Sequence, residues 1–248
     1  MANANENCWP IMVIGGSCDE DQQTLGAFQE FPQVEACRLY SKFSSRPTSL
    51  SLIPQVIEKA VRVSMYGRPG ATYVDIPGNF VNAETTDDKL VFSNKIPTKP
   101  QIFADPSLVQ SAFDELATAK RPLVVIGKGV AYAGASELAK QFIERHNIPF
   151  LPTPMGKGVI SDKHPNCVAA ARSRALLQCD VILLLGARLN WQLHFGRPPR
   201  FSSSVKVVQV NFFDYNFFFP SFNLEATNIL NVCSLNKTGG HLRRGAEQ

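Results

Sequence analysis

Several common signatures are missing from this 248-residue sequence, and each absence excludes something. The six cysteines (Cys8, Cys18, Cys37, Cys167, Cys179, Cys233) form no C-x-x-C pair. Their wide, irregular spacing argues against zinc modules and against the stapled frameworks of small secreted domains, and it fits a reducing compartment. No run approaches 18 apolar residues, and the N-terminal MANANENCWP lacks a basic start and an apolar stretch. Neither a membrane span nor a signal peptide is therefore expected. Charge of one sign is also scarce: 25 Lys and Arg face 21 Asp and Glu, a formal excess of +4 without the basic stripe of a nucleic-acid binder. The four histidines stand in no Ser-His-Asp or Cys-His pattern, and there is no D-x-[DN] metal loop and no Walker A spacing. No catalytic residue and no metal ligand is assigned from the residues themselves.

What is present is an alternation of short apolar runs with amphipathic stretches. IMVIGG (11–16), EACRLY (35–40), ATYVDIP (71–77), PLVVIG (122–127), IPFLP (148–152), VILLLG (181–186) and VKVVQV (205–210) read as strands. TLGAFQEF (24–31), residues 50–67, residues 105–119 and ELAKQFIERH (137–146) read as helices, and Pro106 just inside the start of the third is in a favourable position. Continuous apolar strands alternating with helices predict an α/β fold with a parallel sheet covered on both faces. Residues 78–105 lack periodicity and contain Pro97 and Pro100, which marks them as a linker between a unit at 1–77 and a second at 106–210.

In such folds ligands bind beyond the carboxyl ends of the strands, at glycine turns and helix N-termini. Three loops qualify, each holding a cation beside glycine: Gly67-Arg68-Pro69-Gly70, Gly127-Lys128-Gly129 and Gly186-Ala187-Arg188. Each has two readings. Arg68, Lys128 and Arg188 together would neutralise the phosphates of a nucleotide-like ligand; singly, each is an ordinary turn or surface cation. An acidic residue after VKVVQV would hold a ribose hydroxyl, but this chain places Asn211 there.

The strings GAFQEFPQVEACRLYSKFSSRP (26–47), YGRPGATYVDIP (66–77), PFLPTPMGKGV (149–159) and GARLNW (186–191) resemble those of the 2-hydroxyacyl-CoA lyases and the related oxalyl-CoA decarboxylases, which are thiamine diphosphate enzymes. The resemblance runs from about Asn7 to Val210. It implies part of a pyrimidine-binding domain at 1–77 and a Rossmann-like central domain at 106–210. The implied activity is carbon–carbon cleavage of a 2-hydroxyacyl-CoA to formyl-CoA and a shortened aldehyde, a step of fatty acid α-oxidation in the peroxisome. The implied cofactors are thiamine diphosphate and Mg2+, held between subunits of a homo-oligomer. Phe28 and Gln29 match a stretch that faces cofactor and substrate channel in such enzymes. Arg68, Lys128 and Arg188 match cations that contact the adenosine diphosphate part of a coenzyme A thioester or an adenine nucleotide. A flavin-binding, acetolactate-synthase-like protein is a related alternative that GARLNW disfavours, and a noncatalytic nucleotide-binding or subunit-pairing module is another.

Departures from the family pattern shape the remaining expectations. The family's activating acid would precede Met1, and its diphosphate- and Mg2+-binding signature would follow the central domain. This chain is accordingly expected to be a truncated form, inactive alone and without bound cofactor. Residues 211–248 carry six Phe between Phe212 and Phe222 and have no counterpart in the family pattern. They are expected to be a divergent, irregular tail. They end in Ala246-Glu247-Gln248, which is no peroxisomal address, so a cytoplasmic location is the alternative.

Overall fold

In the computed structural model the described residues are 1–92, 95–100, 103–211 and 229–233. They form an α/β protein of two compact units, 1–101 and 102–248. The Phe cluster at 212–222 and the pair Arg243-Arg244 lie outside the described residues.

The first unit contains α1 (Ala2–Glu6), β1 (Ile11–Ser17), α2 (Gln33–Arg38), β2 (Phe43–Ser45), α3 (Ile53–Met65), β3 (Ala71–Pro77) and α4 (Gly78–Val81). Its sheet is wholly parallel, in the order β1-β3-β2, with Gly15 opposite Asp75 and Ser44 opposite Tyr73. The central strand β3 is almost completely buried, whereas the edge strand β1 exposes Ile11 and Ile14.

Polar contacts tie this small sheet together. The Asp75 carboxylate is fully buried and accepts from Arg46 Nε at 2.6 Å. The Tyr73 hydroxyl donates to Gln33 Oε1 at 2.7 Å, and Gln33 Nε2 donates to the Gly16 carbonyl at 3.0 Å. Burial, and then the nearby Asp75 charge, push the Tyr73 hydroxyl up to about 12. Gly15 leaves room for that hydroxyl, which a Cβ there would strike.

Two local expectations fail in this unit. EACRLY is not a strand: Gln33–Arg38 is helical, with Glu35 and Arg38 paired at 2.7 Å across one turn, and the sheet is extended by Phe43–Ser45 instead. TLGAFQEF is not a helix. Thr24, Gly26 and Gln29 have positive φ (70°, 77° and 63°), which no α-helix accommodates. The stretch is a turn gathered around one carboxylate, described below.

The second unit contains α5 (Pro106–Thr118), β4 (Pro122–Ile126), α6 (Lys128–Tyr132), α7 (Ser136–His146), β5 (Phe150–Pro152), α8 (Arg172–Gln178), β6 (Val181–Leu185), β7 (Lys206–Asn211) and β8 (Ile229–Cys233). Its five strands are parallel in the order β5-β4-β6-β7-β8. Asp105 caps α5 by accepting from the Ser107 amide at 2.8 Å, as the Asp-Pro-Ser start suggests. Alternate residues of β4 serve two cores. Val124 and Ile126 face Val109, Leu116, Ile143 and Phe150, while Leu123 and Val125 face Leu176, Ile182, Leu184 and Phe201. Each fully buried aliphatic side chain contributes roughly 1.5–3 kcal/mol. This double burial is why the strands read as unbroken apolar runs.

At the amino ends of the strands, the Asp180 carboxylate accepts from the Lys120 and Arg121 amides at 2.8 and 2.9 Å. The Asp180 carbonyl accepts from the Lys206 amide at 2.9 Å. The expected irregularity of 211–248 is not complete, because β8 lies within it and pairs with β7 from Val207↔Ile229 to Asn211↔Cys233.

Removing Arg46 would leave a carboxylate buried and unpaired, which is costlier than losing an exposed pair. We expect Arg46→Ala to destabilise the first unit by about 3 kcal/mol, the low end for a buried pair because Arg46 is partly exposed. Arg46→Ala/Asp75→Ala should cost less than the two single changes together. Chemical denaturation of all three variants measures this, and additive losses would show that the two groups are not coupled.

Candidate functional site

The strand order creates the site. From β4 the chain passes through α6 and α7 to β5 on one side, then returns through α8 to β6 on the other. The carboxyl ends of β4 and β6 are therefore the point where the winding reverses, the place where open α/β sheets bind ligands. Lys128 follows β4 by two residues and opens α6, and Arg188 follows β6 by three. Both are half-buried.

Glycine makes this junction possible. The Gly127 amide donates to the Leu185 carbonyl at 2.8 Å and the Gly129 amide to the Gly186 carbonyl at 3.1 Å. A Cβ on Gly127 would lie 2.6 Å from Ala187 Cα, and one on Gly129 would lie 2.6 Å from Gly186 Cα. Gly186 itself has φ +58°. Its amide donates to the Val210 carbonyl at 3.0 Å, which connects the same junction to β7. The two cations thus project from loops locked backbone to backbone. The structure brings Lys128 and Arg188 together at neighbouring strand ends, although 60 residues separate them in sequence.

Arg68 belongs to the first unit. Its Nε contacts Cys8 Sγ at 3.0 Å and its guanidinium donates to the Glu6 carbonyl at 3.3 Å, joining the turn after α3 to the end of α1. Beside it, Lys42 donates to the Val63 and Tyr66 carbonyls, and burial holds its ammonium below the usual lysine range. Sequence reasoning did not anticipate these tethers, because Cys8 lies 60 residues before Arg68 and only the fold joins them.

Phe28 and Gln29 occupy a turn organised by Glu30. That carboxylate accepts from the amides of Thr24 (2.5 Å), Gly26 (2.8 Å) and Ala27 (3.0 Å). Hydrogen bonds from the Thr24 and Ala27 amides hold Glu30 below the usual carboxylate range. Phe28 is 85% exposed at the tip, and Gln29 is exposed with a left-handed backbone. The first unit also has a cleft of about 570 Å³ lined by Glu20, Thr48, Phe80 and Lys89, among others. Its first three lie three residues beyond β1, β2 and β3, so it too opens past carboxyl strand ends.

Among the described residues no group of three or more His, Cys, Asp or Glu converges as a cation site. No Mg2+–diphosphate site is derived from them. Also among the described residues, no helix is long and apolar enough to cross a membrane.

Comparison with known proteins adds the following. A family model described as the thiamine pyrophosphate enzyme central domain matches residues 109–217, which carries the likeness past Val210 and onto residues beyond β7. The 2-hydroxyacyl-CoA lyase 1 of Homo sapiens is 59% identical over 211 residues, covering 85% of this chain and 36% of the relative. The 2-hydroxyacyl-CoA lyase of Arabidopsis thaliana is 41% identical over 216 residues, covering 85% and 38%. The oxalyl-CoA decarboxylase of Escherichia coli (strain K12) is 41% identical over 201 residues, covering 79% and 36%. The chain therefore spans little more than a third of the length of these relatives.

Two outcomes follow from the site geometry. Gly127→Ala should destabilise the second unit by about 1–3 kcal/mol through enforced overpacking. Gly16→Ala, where a Cβ meets nothing within 4 Å, should stay within about 0.5 kcal/mol in the same thermal melts. A smaller loss for Gly127→Ala than for Gly16→Ala would contradict the locked junction. Because its carboxyl is held low, Glu30 braces its turn above the ordinary carboxylate range and releases it as pH falls through the depressed value. Glu30→Ala should mimic that release at neutral pH as faster chymotryptic cleavage after Phe28.

Proposed function

Since the chain belongs to the thiamine diphosphate enzyme family, in the group of the 2-hydroxyacyl-CoA lyases, we propose that its second unit seats the diphosphate end of a coenzyme A thioester or an adenine nucleotide. The observation that carries this reading is the pair Lys128 and Arg188 at the carboxyl ends of adjoining strands, on loops that glycine contacts hold rigid. Phosphates bring two or more negative charges, and half-buried cations on anchored loops compensate them with less loss of side-chain freedom than cations on mobile loops. Arg188 presents a planar fork suited to two phosphate oxygens at once, whereas Lys128 acts as a point charge.

The reaction read onto the protein is the one implied by its resemblance to the 2-hydroxyacyl-CoA lyases, carbon–carbon cleavage of a 2-hydroxyacyl-CoA to formyl-CoA and a shortened aldehyde. Thiamine diphosphate, when bound, supplies the electron sink for that cleavage. This chain's own residues have two parts in it. Lys128 and Arg188 anchor the remote, unreactive end of the substrate, which is binding energy available for orienting the reacting end. The turn braced by Glu30 holds Phe28 outward with a fixed backbone, ready to cover an apolar face supplied by another element or subunit. Association with further copies of the chain and a peroxisomal location belong to the same proposal.

Calorimetry with coenzyme A tests the reading. The parent chain should release heat on binding, and Arg188→Ala should weaken affinity roughly 10- to 100-fold, in line with about 1.5–3 kcal/mol for a hydrogen bond to a charged group. Equal heats in parent and variant, or none in either, would remove the basis for it.

A further inference from the structure

We propose that Trp191 is the stacking surface for the adenine ring of the ligand whose phosphates Lys128 and Arg188 hold; the inference rests on the reading of those two cations given above. Trp191 lies three residues beyond Arg188, a distance of at most about 11 Å along an extended chain, on the same carboxyl side of β6. It opens the turn Trp191–Gly196, and it is 69% exposed. Its neighbours in sequence are not: Leu189 and Leu193 are 8% and 4% exposed and belong to the core on that face of the sheet. The indole is the more exposed of the two large apolar side chains that this otherwise anchored loop leaves to solvent, Phe195 being 37% exposed.

The loop is fixed more firmly than a simple connection requires. The Asn190 side chain accepts from the Gln192 amide at 3.1 Å, and the Asn190 carbonyl accepts from the Leu193 and Phe195 amides, both at 3.0 Å. Arg172 on α8 donates to the Gln192 carbonyl. Gly196 packs so closely on Leu189 that a Cβ would lie 2.9 Å from its Cδ2. His194 and Phe195 are both left-handed, with φ of 49° and 55°. Two successive non-glycine residues in that region persist only where the surroundings overdetermine them, and such backbone gathers at binding sites. A rigid, presented indole loses little freedom when a flat ring stacks on it.

Cations recognise phosphate but do not register whether a base is attached to it. An aromatic platform supplies that recognition, since stacking rewards the presence of a flat ring while tolerating which base carries it. Trp191 therefore distinguishes a nucleotide-like ligand from a bare diphosphate. It is not a catalytic residue.

The chain contains only Trp9 and Trp191, so Trp9→Phe leaves the proposed platform as the sole indole fluorophore. Titration of that variant with ADP should quench its emission, whereas inorganic pyrophosphate should not. By calorimetry, Trp191→Ala should weaken ADP binding roughly 5- to 150-fold, the factor equivalent to base stacking, leave pyrophosphate binding unchanged and be largely rescued by Trp191→Phe. Unaltered ADP affinity in Trp191→Ala, with Arg188→Ala still weakened, would overturn the platform and leave the cation site standing. Equal losses for ADP and pyrophosphate would assign Trp191 a merely structural role and also overturn it. If the parent binds neither ligand, the cation reading fails and the platform fails with it.

Discussion

The close approach of Gly127 and Gly129 to Gly186 is the contact on which the second unit depends. Two strand ends that lie side by side in a parallel sheet must turn in opposite directions at this point, and their loops would collide if either carried side chains. Without a Cβ the two backbones touch and exchange hydrogen bonds instead. Three consequences follow from that one contact. The spacing of β4 and β6 is fixed at its carboxyl end, Val130 is drawn into the core at the start of α6, and Lys128 and Arg188 leave the sheet from a common platform. The proposed anion site is thus a by-product of how the sheet closes its own reversal point, and it needs no dedicated element.

The two units reach stability by different means. The second has enough strands to bury both faces, and its two cores are built from aliphatic residues with Phe150 and Phe201 as the largest wholly enclosed side chains. The first has three strands, one of them only three residues long, and relies on a linked polar set from Arg46 through Asp75 and Tyr73 to Gln33 and the end of β1. Such a network is directional. It fixes register and turn geometry more sharply than an apolar contact of similar area would, but it suffers more when one member is lost.

Much of this was legible in the sequence, for physical reasons that also explain the failures. VILLLG, PLVVIG and VKVVQV announce themselves because a strand covered on both faces must be predominantly apolar, and the glycine that closes two of them marks the carboxyl end. The Asp-Pro-Ser start of α5 likewise carries its own cap. EACRLY misled because its apolar residues fit one helical turn as well as a short strand, and the exposed Glu35–Arg38 pair, which matches the helical spacing, is too weak a signal to separate the two. TLGAFQEF misled because its apolar spacing is helical, while its conformation is decided by a single carboxylate collecting three amides. The partnership of Lys128 with Arg188 depends on strand order, and Trp191 draws no notice until its exposure and the tension in its loop are seen. The family strings pointed to the cations as residues of interest but gave no account of why Lys128 and Arg188 stand at neighbouring strand ends.

The Asp180 contacts at the far end of the second sheet bear on how such a protein changes over time. One residue joins the amino ends of β4, β6 and β7 through its carboxylate and its carbonyl, at the pole opposite the cations. The sheet is thereby anchored at its amino pole through one carboxylate and one carbonyl, and at the opposite pole by backbone contacts between glycines. In the proposed site, side chains such as Lys128 and Arg188 can therefore change while both sets of backbone contacts stay in place. On that proposal, a lineage carrying this arrangement can exchange one anionic ligand for another by rewriting a few loop positions, without first having to evolve a more stable scaffold.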